Sequence, residues 1–366
     1  MRRRFTDGDG RLVVQAWVGS RLLVVAAFVV VAIGSGRSFA RIVNNWDVDH
    51  FVRIAQQGYV VDNDVAFFPG LPLLLRAGEL IGVPILVFGV FIAAVASVLA
   101  AAALYRLGGP YAAVAWLLAP TALFTVVPYT EAPFCAAAFW AWERAGQRRW
   151  GQAAALAALA CSFRVSGLFL IGALAVLALT QARRKGVDRA VALAWLLVPA
   201  SVVFGYAYYL FLRSGSWTAW YTAQSSGWAR GLTWPWESFL NTIPAILPGA
   251  YADHFGWMWM FRFEMVSMAV GVVTTLVCLF RRHWGEAAWV GVQVFAFSLS
   301  YWFMSVNRAV LLWFPLWIAI GRFCEWRPRG SAARVVHNVI LVGALVLACA
   351  TVFGWAWMFG MGHWSS

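Results

Sequence analysis

The stretch Trp46 to Pro69, WDVDHFVRIAQQGYVVDNDVAFFP, concentrates acids, a histidine and aromatics in a chain otherwise built of apolar runs. Its first half has helical spacing. Asp47, His50, Phe51, Ile54, Ala55 and Gly58 recur at i, i+3, i+4, i+7, i+8 and i+11, one stripe of a helix, while Asp49, Arg53, Gln56 and Gln57 fall on the other face. Asp49 and Arg53 form an i, i+4 acid-to-base pair in the favourable order, worth a few tenths of a kcal/mol. Asp47 instead shares the apolar stripe, and a carboxylate pointing into packing needs a partner or a function. A plainer role is open beside the catalytic one: Asp47 or Asn45 caps a short helix that ends at Gly58.

Outward from this loop, the 366 residues are 62% hydrophobic and only 12% charged, more apolar surface than a soluble fold of this size can bury. The composition predicts a polytopic membrane protein. The net charge of +13 does not point to nucleic acid, because the arginines punctuate the gaps between apolar runs instead of gathering in one aromatic-interleaved patch. Lys185 is the single lysine, and this arginine-rich, alanine-rich usage suggests a bacterial genome and a plasma-membrane location. Five scattered cysteines without CxxC or Cys/His spacing imply neither a disulfide frame nor a zinc site.

The arginine asymmetry sets an expected topology of about eleven transmembrane helices in one membrane domain, 1–366. Residues 1–11 are cytoplasmic and span one follows at 12–35, retained because no small-residue cleavage site follows it. The 37–83 loop is then extracytoplasmic, with an interfacial helix over 71–82. Span two runs over 85–105, span three from 111, and span four from 132 to the basic Arg144, Arg148 and Arg149. Only about 30 residues then separate this loop from the basic Arg183, Arg184 and Lys185, so two short or tilted helices are expected with Arg164 at their outer turn. Span seven (190–212) leads to an extracytoplasmic, aromatic-rich loop over 213–263. Its tryptophans suit interfacial anchoring, with sugar or lipid contact as the alternative. Spans eight to eleven cover 264–280, 286–304, the run after Arg308, and 335–358.

Trp46, Asp47, His50, Phe51, Ile54, Ala55, Gly58, Tyr59, and then Ala66, Phe67, Phe68, Pro69 and Gly70, resemble the motif of the PIG-V family of mannosyltransferases. The resemblance continues at Pro128, Tyr129, Thr130, Glu131, Ala132 and Phe134, and at Phe163, Arg164, Val165, Ser166 and Gly167, where Val165 and Ser166 depart from the family's order. Asn307 to Pro315 looks like an arginine and Phe-Pro element of related membrane glycosyltransferases. The family acts in the second mannosylation of glycosylphosphatidylinositol (GPI) anchors in eukaryotes and has bacterial relatives. The resemblance implies a GT-C glycosyltransferase fold, all-α and polytopic, using a polyprenyl- or dolichyl-phosphate mannose on the outer face, with an acid in the first outer loop. The chain has no Gly-rich nucleotide loop or βαβ unit of its own, which also favours a lipid-phosphate donor.

On that reading Asp47 is the base of an inverting displacement and His50 its neighbour. Arg164 and Arg308 are phosphate partners, Glu131 orients the acceptor, and the motif adds Tyr59 and Phe68 as substrate contacts. No cofactor beyond the donor co-substrate is expected, and the acceptor is a glycolipid or glycan. A metal on Asp47, Asp49 and His50 is a weaker reading, since Asp47 and Asp49 sit about 200° apart around a helix axis. The competing class is a transporter or flippase for a lipid-linked sugar, because charges inside a membrane also mark substrate paths.

Overall fold

The computed structural model describes residues 7–181 and 186–365; Arg2, Arg3 and Arg4 and the basic Arg183, Arg184 and Lys185 lie outside the described residues. Among the described residues the chain is helical throughout, with no sheet and one isolated bridge between Leu232 and Ser300.

The expectation of eleven spans is corrected. Among the described residues five helices are long and apolar enough to cross a membrane: Gly8–Ser35, Ile85–Gly108, Gly186–Ser214, Trp257–Phe280 and Ser331–Gly360. The pair Val306–Leu312 and Phe314–Glu325, bent by 70°, makes a sixth if counted as one span. Expected spans three to six and nine become Pro110–Leu117, Glu131–Gly146, Trp150–Phe163, Ser166–Thr180 and Trp284–Ser298, of 8, 16, 14, 15 and 15 residues. At about 1.5 Å per residue even the longest reaches roughly 24 Å, less than the roughly 30 Å of a bilayer core. Burial explains the error. Glu131–Gly146 is apolar because it lies inside the protein, with Phe134, Phe139 and Ala141 fully covered. The Ser331–Gly360 helix has only 17% of its apolar window buried, and Val339, Val342 and Val346 remain exposed. Hydropathy cannot tell a side chain that faces lipid from one that faces protein.

Small residues let these helices approach closely. Ala93, Ala96, Ala100 and Ala103 line the buried face of Ile85–Gly108, and Trp17 of the first helix donates to Ser97 Oγ at 3.0 Å. Trp150–Phe163 and Ser166–Thr180 form the expected pair of short helices broken at Arg164. Their turn depends on Gly167, where an added Cβ would lie 2.6 Å from Cys161 Cα. Gly167→Ala should therefore lower the thermal midpoint of the solubilised protein by the equivalent of about 1 to 3 kcal/mol of overpacking; an unchanged midpoint would show that the hairpin gives way freely.

The molecule has two distinct ends. At one, Tyr105 contacts Asp9 at 3.4 Å and Arg106 pairs with Glu143 at 2.7 Å. At the other, the segment after Ser35, the Asp47–Gln57 helix, the 164–166 turn and the 305–309 segment come together.

Candidate active site

The Asp47–Gln57 helix begins without a side-chain cap, so the capping role open to Asp47 or Asn45 is not taken. Trp46, the residue before it, sits at φ 57° in the left-handed region, a conformation unfavourable for a bulky side chain. Tertiary contacts hold it there: Trp46 Nε1 donates to His363 O at 3.1 Å and Asn45 Nδ2 to Phe359 O at 2.9 Å. Gly58, at φ 77°, supplies the turn that ends the helix. Val48, Phe51, Ile54 and Ala55 face the interior. Asp49 is exposed and pairs with Arg53 at 2.9 Å, as its spacing predicts.

Asp47 turns away from solvent into a chain of alternating charge. Arg308 Nη1 donates to Asp47 Oδ2 at 2.6 Å and lies 3.8 Å from Glu131 Oε1. Arg164 Nη1 donates to the same Glu131 oxygen at 2.5 Å and to Thr130 Oγ1 at 2.9 Å. Glu131 is fully buried, and its Oε2 and the Nε of Arg308 have no hydrogen-bond partner among the described residues. The Arg308 guanidinium also lies over Tyr129 and Phe124, at 5.3 and 5.5 Å from the ring centroids, and Tyr129 Oη accepts from the Asp47 backbone N–H at 3.2 Å. Four residues scattered over 262 positions of sequence thus meet: Asp47, Glu131, Arg164 and Arg308.

The remaining sequence candidates do not join them. His50 Nδ1 lies 2.7 Å from Asp64 Oδ1, and Arg53 binds both Asp64 oxygens at 2.8 and 3.0 Å. His50 stacks on Phe67 at 4.7 Å, with Trp228 5.8 Å away. Tyr59 donates to Phe67 O at 2.9 Å, and Phe68 packs on Tyr206 at 4.6 Å. Both line a mainly apolar cavity of about 300 Å³ between this loop and the Leu197–Ser214 helix. The aromatic loop divides in two. Trp220 donates to Ala66 O at 3.1 Å and Trp228 covers Phe67, whereas Trp217, Trp234, Trp236 and Trp259 remain exposed.

Three residues of this region escape the sequence reading. Asp64 is fully buried; burial pushes its carboxyl up, but the hydrogen bonds from Arg53 and His50 outweigh this and hold it below the ordinary carboxylate value. Its folded value being the lower one, its stabilising link is complete above about pH 4 and fades as pH falls through the depressed pKa. Proteolytic release around residues 58–66 should therefore increase only below about pH 4, and Asp64→Asn should bring that release to neutral pH; equal resistance in both proteins would show that the link does not anchor the loop. Glu264 is buried in Trp257–Phe280 and accepts the backbone N–H groups of Ser305 and Asn307 at 2.9 and 3.0 Å, which sets the turn carrying Arg308. An acid inside an apolar run was the available signal. Arg230 donates to Met304 O at 3.2 Å, and its Nε has no partner among the described residues. Burial, and then the nearby charge of Arg308, push its guanidinium down to about 10, against the opposite pull of Glu264 and Asp47. No three His, Cys, Asp or Glu side chains among the described residues are grouped to hold a metal ion.

Comparison with known proteins meets this geometry in the N-terminal half. The profile of the family described as Mannosyltransferase (PIG-V) matches residues 18–185. Proteins named GPI alpha-1,6-mannosyltransferase 2 are 33% identical to this chain over 148 residues in Rattus norvegicus and 32% over 154 in Homo sapiens. In both cases the similarity covers 35% of this chain and 30% of the relative, so the chain spans less than a third of those proteins' length. The matched segment holds Asp47, Glu131 and Arg164, three of the four residues that meet at the centre, and over that segment the chain is similar to the PIG-V mannosyltransferase family, with distant homology to GPI alpha-1,6-mannosyltransferase 2.

Proposed function

We propose that this chain transfers mannose from a polyprenyl- or dolichyl-phosphate mannose to a hydroxyl of a lipid- or glycan-linked acceptor, on the extracytoplasmic face, by inverting displacement on a GT-C type scaffold. The observation that carries the reading is the Asp47–Arg308–Glu131–Arg164 chain of charge. Asp47 Oδ2 is occupied by Arg308, and its Oδ1 is the oxygen that takes the acceptor's proton as the new C1–O bond forms. The bond from C1 to the donor phosphate breaks in the same step, and the phosphate leaves as an anion that needs positive charge and no proton.

Within the chain the two carboxylates and two guanidiniums already balance, so an arriving phosphate diester adds one uncompensated negative charge. Arg230 answers it. Its cationic side chain beside Arg308, paired with the neutral Met304 carbonyl and with Nε free of any partner among the described residues, makes it a third phosphate partner, alongside the planar guanidiniums of Arg164 and Arg308. His50 is held off Asp47 by Asp64 and serves, with Phe67 and Trp228, as part of a sugar-facing wall.

Membranes overexpressing the chain should move radiolabelled mannose from polyprenyl-phosphate mannose onto an extractable lipid or a glycan. Translocation of the intact donor without a new mannoside would establish the flippase reading instead. Cysteines substituted near residues 55 and 130 should label from outside and those near 147 and 330 from inside; labelling of residue 55 from the cytoplasm alone would overturn the orientation.

A further inference from the structure

A cavity of about 580 Å³ opens beside the start of the Asp47–Gln57 helix, lined by Arg37, Arg41, Asn44, Asn45, Leu86 and Gly362 among others. Three membrane helices reach this level together. Arg37 follows the end of Gly8–Ser35, Leu86 is the second residue of Ile85–Gly108, and Gly362 follows the end of Ser331–Gly360. The cavity therefore sits where apolar spans give way to polar loop, the depth of a lipid headgroup.

Its charge is positive and unspent. Arg37 Nη1 donates to Gly360 O at 3.1 Å, a neutral carbonyl. The Arg41 side chain is exposed, with no ion pair or hydrogen bond to its guanidinium among the described residues. The carboxylate at the margin, Asp49, lies 3.5 Å from Asn44 Nδ2 and is already neutralised by Arg53. Burial, and then the charge of Arg37, hold the neighbouring His363 imidazole below its ordinary value. A Cβ at position 362 would stand 3.1 Å from Arg37 Nη1, so the glycine keeps that guanidinium open. With Nδ2 turned toward Asp49, Asn44 leaves its Oδ1 buried and without a donor among the described residues. An unmet buried acceptor of this kind asks for a hydroxyl.

We propose that this cavity binds the headgroup of an anionic phospholipid, its phosphate on Arg37 and Arg41 and a headgroup hydroxyl on Asn44 Oδ1. Charge-assisted contacts to two guanidiniums suit a phosphodiester, and the hydroxyl requirement separates this ligand from a bare polyprenyl phosphate, a phosphomonoester without a hydroxylated headgroup. The site is distinct from the Arg308 centre and does not depend on mannosyl transfer; where transfer holds, Asn44 and Asn45 place such a headgroup immediately before Trp46 and Asp47.

Native mass spectrometry of the full chain released from detergent tests this, with phosphatidylglycerol, phosphatidylcholine, a polyprenyl phosphate and inorganic phosphate as probes. One phosphatidylglycerol should be retained in preference to phosphatidylcholine and to the polyprenyl phosphate, and inorganic phosphate should not displace it. Arg37→Ala combined with Arg41→Ala should weaken retention about tenfold or more, the loss of a charged hydrogen bond at each position. Because Arg37 also holds a helix end, Arg41→Glu is the second variant: it disturbs no internal contact and should also lose the lipid, with Arg41→Lys restoring part of it. Asp47→Asn should retain the lipid like the parent, so a failure of transfer and a failure of this site read differently. Unchanged retention in Arg41→Glu, equal retention of phosphatidylcholine or polyprenyl phosphate, or displacement by inorganic phosphate would each overturn the proposal.

Discussion

Asp47→Asn should abolish mannosyl transfer, by about 10²- to 10⁴-fold in kcat if Asp47 is the general base, while leaving the protein inserted and folded. The substitution keeps the shape and an oxygen within reach of Arg308, whose contact at 2.6 Å then loses one charge. It removes the basic lone pair that, on the proposed mechanism, takes the acceptor's proton. Asp49→Asn is the matched control, two residues away on the same helix. Its carboxylate is exposed and bound to Arg53, an interaction of the kind that contributes about 0 to 1 kcal/mol, so transfer should change little. Comparable losses in both variants would reject Asp47 as the base and return attention to a site that needs the two acids together.

Replacement of Arg308 should produce the second large effect, and its two substitutions should separate structure from chemistry. Arg308→Ala strips the counter-charge from Asp47 and weakens that of the fully buried Glu131. Breaking a buried pair in this way costs about 3 to 5 kcal/mol, so a sharply lowered thermal midpoint is expected. Arg308→Lys keeps one charge near Asp47 but loses the planar fork that reaches Asp47 and Glu131 and, on the proposed mechanism, a phosphate oxygen. Its midpoint should lie near that of the parent while kcat falls by about 10²- to 10³-fold, the size of effect seen when a donor to developing negative charge is removed. Full activity in a stable Arg308→Lys protein would leave Arg308 a structural counter-ion. Arg164, which spends its Nη1 on Thr130 and Glu131, should show the weaker form of the same pattern.

The two halves of the chain contribute unequally to this centre. The family match ends at residue 185, yet Arg230, Glu264 and Arg308 all come from beyond it. Asp47, Glu131 and Arg164 thus come from the matched half, while Arg308, which pairs directly with Asp47, and Glu264, which sets its turn, come from the other. Differences in donor or acceptor preference between this chain and its mammalian relatives should accordingly trace to the segment after residue 185.

Local spacing carried the Asp47–Gln57 helix, its end at Gly58 and the Asp49–Arg53 pair, because the residues involved lie within one or two turns of each other. Apolar runs carried the all-helical membrane class, and the break at Arg164 followed from too few residues for two full crossings. The number of spans was not legible, since Glu131–Gly146 and its neighbours are apolar for packing against protein, and composition alone does not record which surface a side chain faces. Nor was the pairing at the site. Arg308 could meet Asp47, 261 positions away, only after the bent Val306–Leu312 segment was set by Glu264. His50 shared a stripe with Asp47, yet Asp64, folded back from 14 residues on, took its imidazole elsewhere. Helical periodicity says which side chains leave a helix on one side; which distant charge arrives to meet them is decided by the packing of the whole chain, through ion pairs that exist only once the protein has excluded water around them.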